Sequence, residues 1–461
     1  MNVKLKYTIN DPYDLNLICA RGIDNPNSFL FPTKVHLSSP HDLDNIDRAV
    51  DLVGECQGCR SLIVVDSDCD GNCAAAIFTN YMQCLFPDWI LDPIVHERKG
   101  HGLSDIEERV DLDDYSLVVL PDAGSNDDEY FLRHLNTRFL VLDHHLRESD
   151  KPIPENVIIV NNQISQNYKN KALSGAGVTW QFCRAMDERY GYNYAEQFYD
   201  LVAVAIIGDV MDLTTPENRF LVTRGLQHFT NGFLKILIDN AAFNLGKVIT
   251  PMGIAFYIVP AINSMCRMGS LDEKMRMFQA FVNPHLQVIC HKRGVAAGTQ
   301  IDVAIESARE CTNTKAKQKR LQEKMAALCE QQIIENDLLK NKVLIINLDE
   351  NFEDMPSEMN GLTATKLSND YGHPTLIGRV NDQGEFKGSI RGLSTIDMPP
   401  FKEFLLSSGL FTLVEGHNNA AGFEIPASKI EQLTEWCNEQ LKSVDLNSKT
   451  WMVDFEVSGK T

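Results

Sequence analysis

The sequence predicts an α/β protein of two domains: a larger N-terminal one on a parallel sheet, a long connecting helix, and a smaller α/β C-terminal one. Three observations carry this. Short runs that are apolar throughout, rather than alternating, recur before residue 161, as expected of parallel strands covered on both faces. Residues 301–337, IDVAIESARECTNTKAKQKRLQEKMAALCEQQIIEND, hold no proline or glycine and are rich in helix formers. After them the strand pattern resumes.

In chain order, SLIVVD is the first clear strand of the N-terminal region, and CAAAIFTNYMQCLF follows as a helix. WILDPIVHE, SLVVLPD, RFLVLDHH and NVIIVNN are further strands. GVTWQFCRAMDERY and FYDLVAVAIIGDVMDL read as helices. The connecting helix is expected to break near Thr312-Asn313-Thr314, and KVLIINL, HPTLIGRV and GEFKGSIRG are strands of the second domain. No internal repeat or low-complexity tract is present.

Composition narrows the function classes. The chain has 461 residues, 44% hydrophobic and 23% charged, which suits a water-soluble globular protein. No stretch reaches the length of a membrane span and no signal-peptide pattern opens the chain. The 12 cysteines are scattered, so reduced thiols and a cytoplasmic location are expected. The formal charge of −20, from 43 basic and 63 acidic residues, argues against bulk electrostatic capture of nucleic acid but leaves room for a local basic groove. Cys56, Cys59, Cys69 and Cys73 mimic zinc spacing. A strand separates the two pairs, however, and Cys69 lies between two acids, so no structural zinc is expected there.

The chemistry concentrates at strand ends, where ligands of open parallel sheets lie. VVDSDCDGNCAAA sets Asp66, Asp68 and Asp70 at alternate positions after an apolar run. LVVLPDAG ends in Asp122, FLVLDHH in Asp143-His144-His145, and the apolar segment LVAVAIIG is followed by Asp209. One such acid alone is usually a helix cap or turn former. Four such features in one region are different, because converging carboxylates repel unless a cation neutralises them. Oxygen ligands with a few imidazoles suit Mn²⁺ or Mg²⁺. Two such ions, about 3.5–4 Å apart, are the usual clamp for in-line attack of water on a phosphodiester.

DSDCDG, PDAG, DHH and IIGDVMDL, in this order, resemble the metal motifs of the DHH-type phosphoesterases. GHGLS, VNNQ, LSGAGVTW, PENRFLVTRGL and VPAINSMCRMG extend the likeness to the RecJ branch, the single-strand DNA exonucleases. NGLTATKLSNDYGHP, GSIRG and GHNNAAGF resemble that branch's DHH-associated domain. The resemblance implies a two-domain DHH phosphoesterase architecture: a catalytic DHH domain over 1–245, a helical segment with the long connecting helix over 246–340, and a substrate-binding DHH-associated domain over 341–461. It implies metal ligation by Asp66, Asp68, Asp70, Asp122 (shared between ions), His144 and Asp209, with Asp212 the neighbouring alternative to Asp209. His145 would face the scissile phosphate, with Asp143 orienting the histidine pair. Asn263 and Arg267 would contact the nucleic-acid backbone. Arg391 and His417 would hold phosphate, with Gly416 and Gly422 letting a backbone approach it. The basic run Lys315, Lys317, Lys319 and Arg320 is either a strand-tracking face or a solvated one.

Departures from the family pattern qualify these expectations. In HERKGHGLS, His101 stands where the family's Arg-x-x-x-Gly-Tyr-Gly motif has tyrosine, and Arg98 is displaced. Glu415 stands in place of a glycine of the familiar GGH, giving EGH. Bacterial members usually carry a further OB-type domain, for which the sequence leaves no room after WMVDFEV, so weak strand capture and low processivity are expected. The resemblance thus implies a metal-dependent exonuclease, using two Mn²⁺ or Mg²⁺ ions, that releases mononucleotides from single-stranded DNA in the 5′→3′ direction. The strand is expected in the cleft between the domains, and a single-strand-binding protein or a helicase is the expected protein partner. The rival readings are an oligoribonuclease or cyclic-dinucleotide phosphodiesterase, and a non-catalytic replication or repair scaffold.

Overall fold

The computed structural model describes residues 2–5, 18–19, 21–23, 25–98, 100–348, 352, 355–394, 396, 398–446 and 450–453. The chain divides into two compact units, residues 25–315 and residues 316–461 with 1–24. No helix among the described residues is long and apolar enough to cross a membrane.

The first unit is built on five parallel strands: β1 (Ser61–Val65), β2 (Leu91–Val95), β3 (Leu117–Pro121), β4 (Arg138–Asp143) and β5 (Val157–Asn161). They lie in the order β2-β1-β3-β4-β5. The uniform apolarity of the runs has the expected cause. Ile63, Val65, Val119, Leu140 and Leu142 pack on one face of the sheet. Leu62, Val64, Val118, Leu120 and Val141 pack on the other. The chain leaves β1 for one edge and returns to its other side as β3. That reversal opens a crevice at the carboxyl ends of β1 and β3, the usual ligand position in such sheets.

The helices that matter to the site cover this sheet. They are α1 (Ile46–Cys56), α2 (Cys69–Leu85), α3 (Gly175–Tyr190) and α4 (Tyr199–Gly208). Beyond them come α5 (Val259–Met268) and α6 (Leu271–Val282). The Asp68 carboxylate caps α2 by accepting from Gly71 N–H at 3.0 Å, and the Ser174 hydroxyl caps α3 through Gly177 N–H at 3.3 Å. Residues 199–207 of α4 are buried on every side, as an all-round apolar helix should be.

The long helix, α7 (Val303–Glu335), is continuous, which corrects the expected break at Thr312-Asn313-Thr314. Thr312 satisfies its hydroxyl within the helix, donating to Ala308 C=O at 2.8 Å, so it need not divert the backbone.

The second unit holds a mixed sheet of β6 (Leu344–Asn347), β7 (Thr375–Val380), β8 (Glu385–Arg391), β9 (Leu413–His417) and β10 (Ala420–Pro426). Its order is β9-β10-β8-β7-β6; only the β6–β7 pair is parallel. Phe386, Ile390, Phe423 and Ile425 pack against Leu433 and Cys437 of α8 (Ile430–Gln440). The strands expected in KVLIINL, HPTLIGRV and GEFKGSIRG are all present.

Candidate metal centre

Each strand end beside the crevice delivers a side chain to it. Asp66 follows β1, Asp122 follows β3, and Asp143 ends β4 with His144 and His145 beyond it. Asp209 is the C-terminal cap residue of α4. Ligand-competent atoms fall into three groups, each within 4.8 Å: Asp66–Asp68–Asp122, Asp70–His144–Asp209 and Asp122–His144–His145. Asp122 and His144 each belong to two groups. His144 Nε2 lies 3.3 Å from Asp122 Oδ1, 3.5 Å from Asp209 Oδ2 and 3.9 Å from Asp70 Oδ2. Asp212 is not part of this cluster; its carboxylate accepts from Thr214 N–H and hydroxyl, both at 2.7 Å.

The backbone is shaped to make this convergence possible. The two oxygens of Asp70 accept from Gly175 and Ala176 N–H, each at 2.9 Å, so the α3 N-terminus holds this carboxylate in place. Asp122 adopts a positive φ of 70°, costly for a residue with a Cβ. A Cβ on Gly175 would stand 2.1 Å from Asp122 Oδ1 and 2.6 Å from its Cα, so only glycine fits there.

Asp143 organises the histidine pair. Its Oδ1 accepts from His144 N–H at 2.7 Å and His145 N–H at 3.1 Å, and lies 2.8 Å from His145 Nδ1. Its Oδ2 accepts from Ser125 N–H at 3.0 Å. Burial works against ionisation of Asp143, but these hydrogen bonds, led by that from His145, hold the carboxyl below its usual range. Burial likewise lowers His145, yet the Asp143 contact outweighs it and brings the imidazole up to about 9. From β5, Asn161 Nδ2 donates to His145 C=O and to the Ser125 hydroxyl, both at 2.8 Å, locking the turn.

The remaining acids are electrostatically frustrated. Burial pushes Asp66, Asp70 and Asp122 above the ordinary carboxyl range, Asp122 with added repulsion from Asp70 and Asp68. Burial, then Asp70 and Asp68, brings Asp209 up to about 8. Burial lowers His144, leaving a neutral imidazole suited to ligation. Asp66 Oδ1 and Asp122 Oδ1 are buried with no hydrogen-bond partner. Unpartnered carboxyl oxygens crowded beside an imidazole are a donor set that divalent cations fit. None of the possible metal-binding clusters among the described residues contains a cysteine.

Asn263 and Arg267 lie one turn apart on α5, whose Cys266 Sγ is 3.4 Å from Asn72 Nδ2 of α2. Asn263 Oδ1 is buried and unpartnered, and Arg267 stands in the last turn of α5. In the second unit, Arg391 of β8 and His417 of β9 both stand opposite Ala420 of β10, forming one row across three strands. Arg391 Nε donates to the Thr365 hydroxyl at 3.0 Å. Gly416 has φ of 123°, and a Cβ there would press on Ala421 Cα at 2.9 Å. Gly422, between Ser389 and Glu415 in the register, leaves open backbone.

Sequence reasoning missed three residues of the first unit. Asn161 enters it only as part of VNNQ. His101, noted as a departure, places Nδ1 2.8 Å from Asp66 Oδ2. His96 is buried at the end of β2, with Nε2 3.8 Å from Asp66 Oδ1. The signal for His96 was available: WILDPIVHE ends in a ligand-type residue just as the other strands do.

The chain is similar in sequence and in fold to several known proteins. Residues 60–206 match the family described as DHH family, N-terminal domain. The chain is 35% identical over 450 residues to the putative SPbeta prophage-derived single-strand DNA-specific exonuclease YorK of Bacillus subtilis (strain 168), covering 95% of this chain and 76% of that protein. It is 26% identical to the single-stranded-DNA-specific exonuclease RecJ of Haemophilus influenzae, covering 90% of this chain and 72% of that protein. Among solved structures, RecJ from Thermus thermophilus in complex with Mn²⁺ superposes with a TM-score of 0.72 at 21% identity. That match covers 95% of this chain, which spans 60% of the Thermus chain. An exonuclease RecJ bound to manganese gives 0.65 at 22% identity, over 89% of this chain and 98% of that one. With the strand-end acids, the histidine pair and this breadth of likeness together, the chain belongs to the DHH family, in the branch that holds YorK and RecJ.

Proposed function

We propose that this protein is a metal-dependent phosphodiesterase that hydrolyses single-stranded DNA from an end to mononucleotides, in the 5′→3′ direction by likeness to its branch. The observation that carries the reading is the set of three ligand groups linked through Asp122 and His144, with buried carboxylate oxygens left unpartnered. Asp66, Asp68 and Asp122 would hold one ion, and Asp70, Asp122, His144 and Asp209 the other. Two Mn²⁺ or Mg²⁺ ions there would supply positive charge opposite the phosphate and acidify the attacking water. Imidazole ligation favours Mn²⁺ over the harder Mg²⁺.

The protein's own residues divide the remaining work. Asp143 fixes His145 through Nδ1, so that Nε2–H would donate to a non-bridging phosphate oxygen where negative charge develops. Arg267, in the last turn of α5, can pair with a backbone phosphate, and Asn263 one turn earlier can add a hydrogen bond. In the second unit, Arg391 and His417 flank Ala420 in one row across the strands, and both would contact phosphate. A cytoplasmic setting, with a single-strand-binding protein or a helicase presenting the strand, fits this role.

The deciding experiment is a product time course on end-labelled DNA and RNA strands of several lengths, with Mn²⁺, Mg²⁺ or chelator. Mononucleotides released from one end of DNA, only with metal, are expected. Full activity after exhaustive chelation would sink the mechanism.

A further inference from the structure

His96 is built into its place. It follows β2, beside Asp66 at the end of β1, since Val65 and Val95 pair in register. Its Nδ1 is hydrogen-bonded to Asp105 Oδ1. Asp105 Oδ2 accepts from Glu97 N–H at 2.8 Å and lies 3.5 Å from Arg109 Nη1. Burial opposes ionisation of Asp105, yet the His96 and Glu97 hydrogen bonds bring it down to about 2, so it is an anion that accepts. A Cβ on Gly100 would fall 2.5 Å from His96 Nδ1 and 2.6 Å from Asp105 Oδ1, so the loop closes tightly over this pair. Lys274 Nζ clamps the backbone, donating to His96 C=O at 3.1 Å and Glu97 C=O at 2.8 Å.

With Nδ1 engaged by Asp105, Nε2 is the ring nitrogen left facing Asp66. That atom is buried and unpartnered, and so is Asp66 Oδ1, 3.8 Å away. That separation is too long for a direct hydrogen bond. Both residues line a cavity of about 10 Å³, with Asn72, Lys274 and Cys266 among its other walls. That is about the smallest space that holds one water.

We propose that His96 is a positioning residue for Asp66, acting through one buried water that donates one proton to His96 Nε2 and the other to Asp66 Oδ1. A water's two donors match the two orphaned acceptors, at ordinary distances of about 2.7–3.0 Å. Asp66 Oδ2 is fixed from the other side by His101 Nδ1 at 2.8 Å. A carboxylate has about four lone-pair sites, so Asp66 keeps one on each oxygen for an ion. Asp105, His96 and the water thus set the angle at which Asp66 faces Asp68 and Asp122. This rests on the metal reading above.

The test is Mn²⁺ binding to the full chain, followed by titration calorimetry, with thermal melts alongside. His96→Leu, which fills the space but cannot accept, should weaken one of the two Mn²⁺ sites about 10–100-fold, the usual effect of losing an outer partner of a ligand. Asp105→Asn should do the same by releasing the imidazole. His96→Gln, whose amide oxygen can reach the Nε2 position, should recover most of the affinity. A crystal structure of the wild type should show the water between His96 Nε2 and Asp66 Oδ1. Unchanged Mn²⁺ isotherms for H96L and D105N would overturn the inference while leaving the metal reading standing. Equal losses in H96L and H96Q with equal drops in melting temperature would also overturn it, making His96 a packing residue. Absence of any Mn²⁺ uptake by the wild type would overturn the metal reading and this inference together.

Discussion

His144 is the side chain with the most to lose by truncation, because its Nε2 stands within 4 Å of three carboxylates. His144→Ala should reduce DNA hydrolysis by more than about 100-fold, beyond what losing an outer partner costs, while the melting temperature holds. Asp70→Ala is a poorer probe: it also strips the Gly175 and Ala176 N–H groups of their acceptor, at about 1–3 kcal/mol. Asp127 tests the electrostatics away from the ligands. It accepts from Leu103 N–H at 2.9 Å, and burial brings its carboxyl up to about 7. The folded value lies above the unfolded one, so the proton favours the fold. That contribution is complete below about pH 4, is lost as pH rises from about 4 to 7, and stays lost above. Asp127→Asn should therefore melt at the same temperature as wild type near pH 4 and higher than it above pH 7. A gain of 1 kcal/mol would read as about 2–4 °C. Parallel melts at pH 4, 5.5 and 7.5 check the sign.

At the scale of elements, the site depends on helix α3 beginning where it does. Gly175→Ala would drive a Cβ into Asp122 and shift the N-terminus that holds Asp70. A loss of about 1–3 kcal/mol in stability and weakened Mn²⁺ uptake should appear together, read by melts and calorimetry. Loss of stability without any change in metal binding would separate α3 from the site. The strands and helices around the site were legible because β1, β3 and β4 are short, apolar throughout and tipped by acids, and because α4 is apolar all round. The continuity of α7 was not legible, because whether a threonine hydroxyl bonds back to its own helix depends on its rotamer and not on its identity. The pairing of β9 with β10 was hidden for another reason. Gly416 and Gly422 weaken the strand pattern, and only the register places Arg391, Ala420 and His417 in one row. His96 escaped notice and His101 was read only as a departure from a motif, because each is a single histidine; what marks them is the distance to Asp66.

For the molecule as a whole, the two units should respond differently to metal. Ligand binding stabilises only what folds to bind it, by about 2.7 kcal/mol at a hundredfold excess over Kd. All the grouped acids at the centre belong to residues 25–315. Calorimetric scans with and without Mn²⁺ should therefore show one component move up and the other stay. A single transition that moves as a block would contradict independent units. Arg391→Ala addresses the other half. It should lower kcat/KM on single-stranded DNA by on the order of 100-fold through a misplaced phosphate. Mn²⁺ uptake and the melting temperature should remain as in the wild type, measured on the same preparations. A stable variant with unimpaired kcat/KM would remove Arg391 from the site.

The left-handed backbone of Asp122 has an evolutionary consequence. Glycine adopts that conformation without strain and asparagine tolerates it better than most residues, and either would also remove one charge from a crowded anionic cluster. Substitutions that would silence the proposed chemistry at this position should therefore favour the fold. Under selection for stability alone, a duplicated copy would drift there early and keep its architecture. Descendants that have given up hydrolysis and persist as binding platforms should carry glycine or asparagine at this position, and should resist heat better than the enzymes they came from.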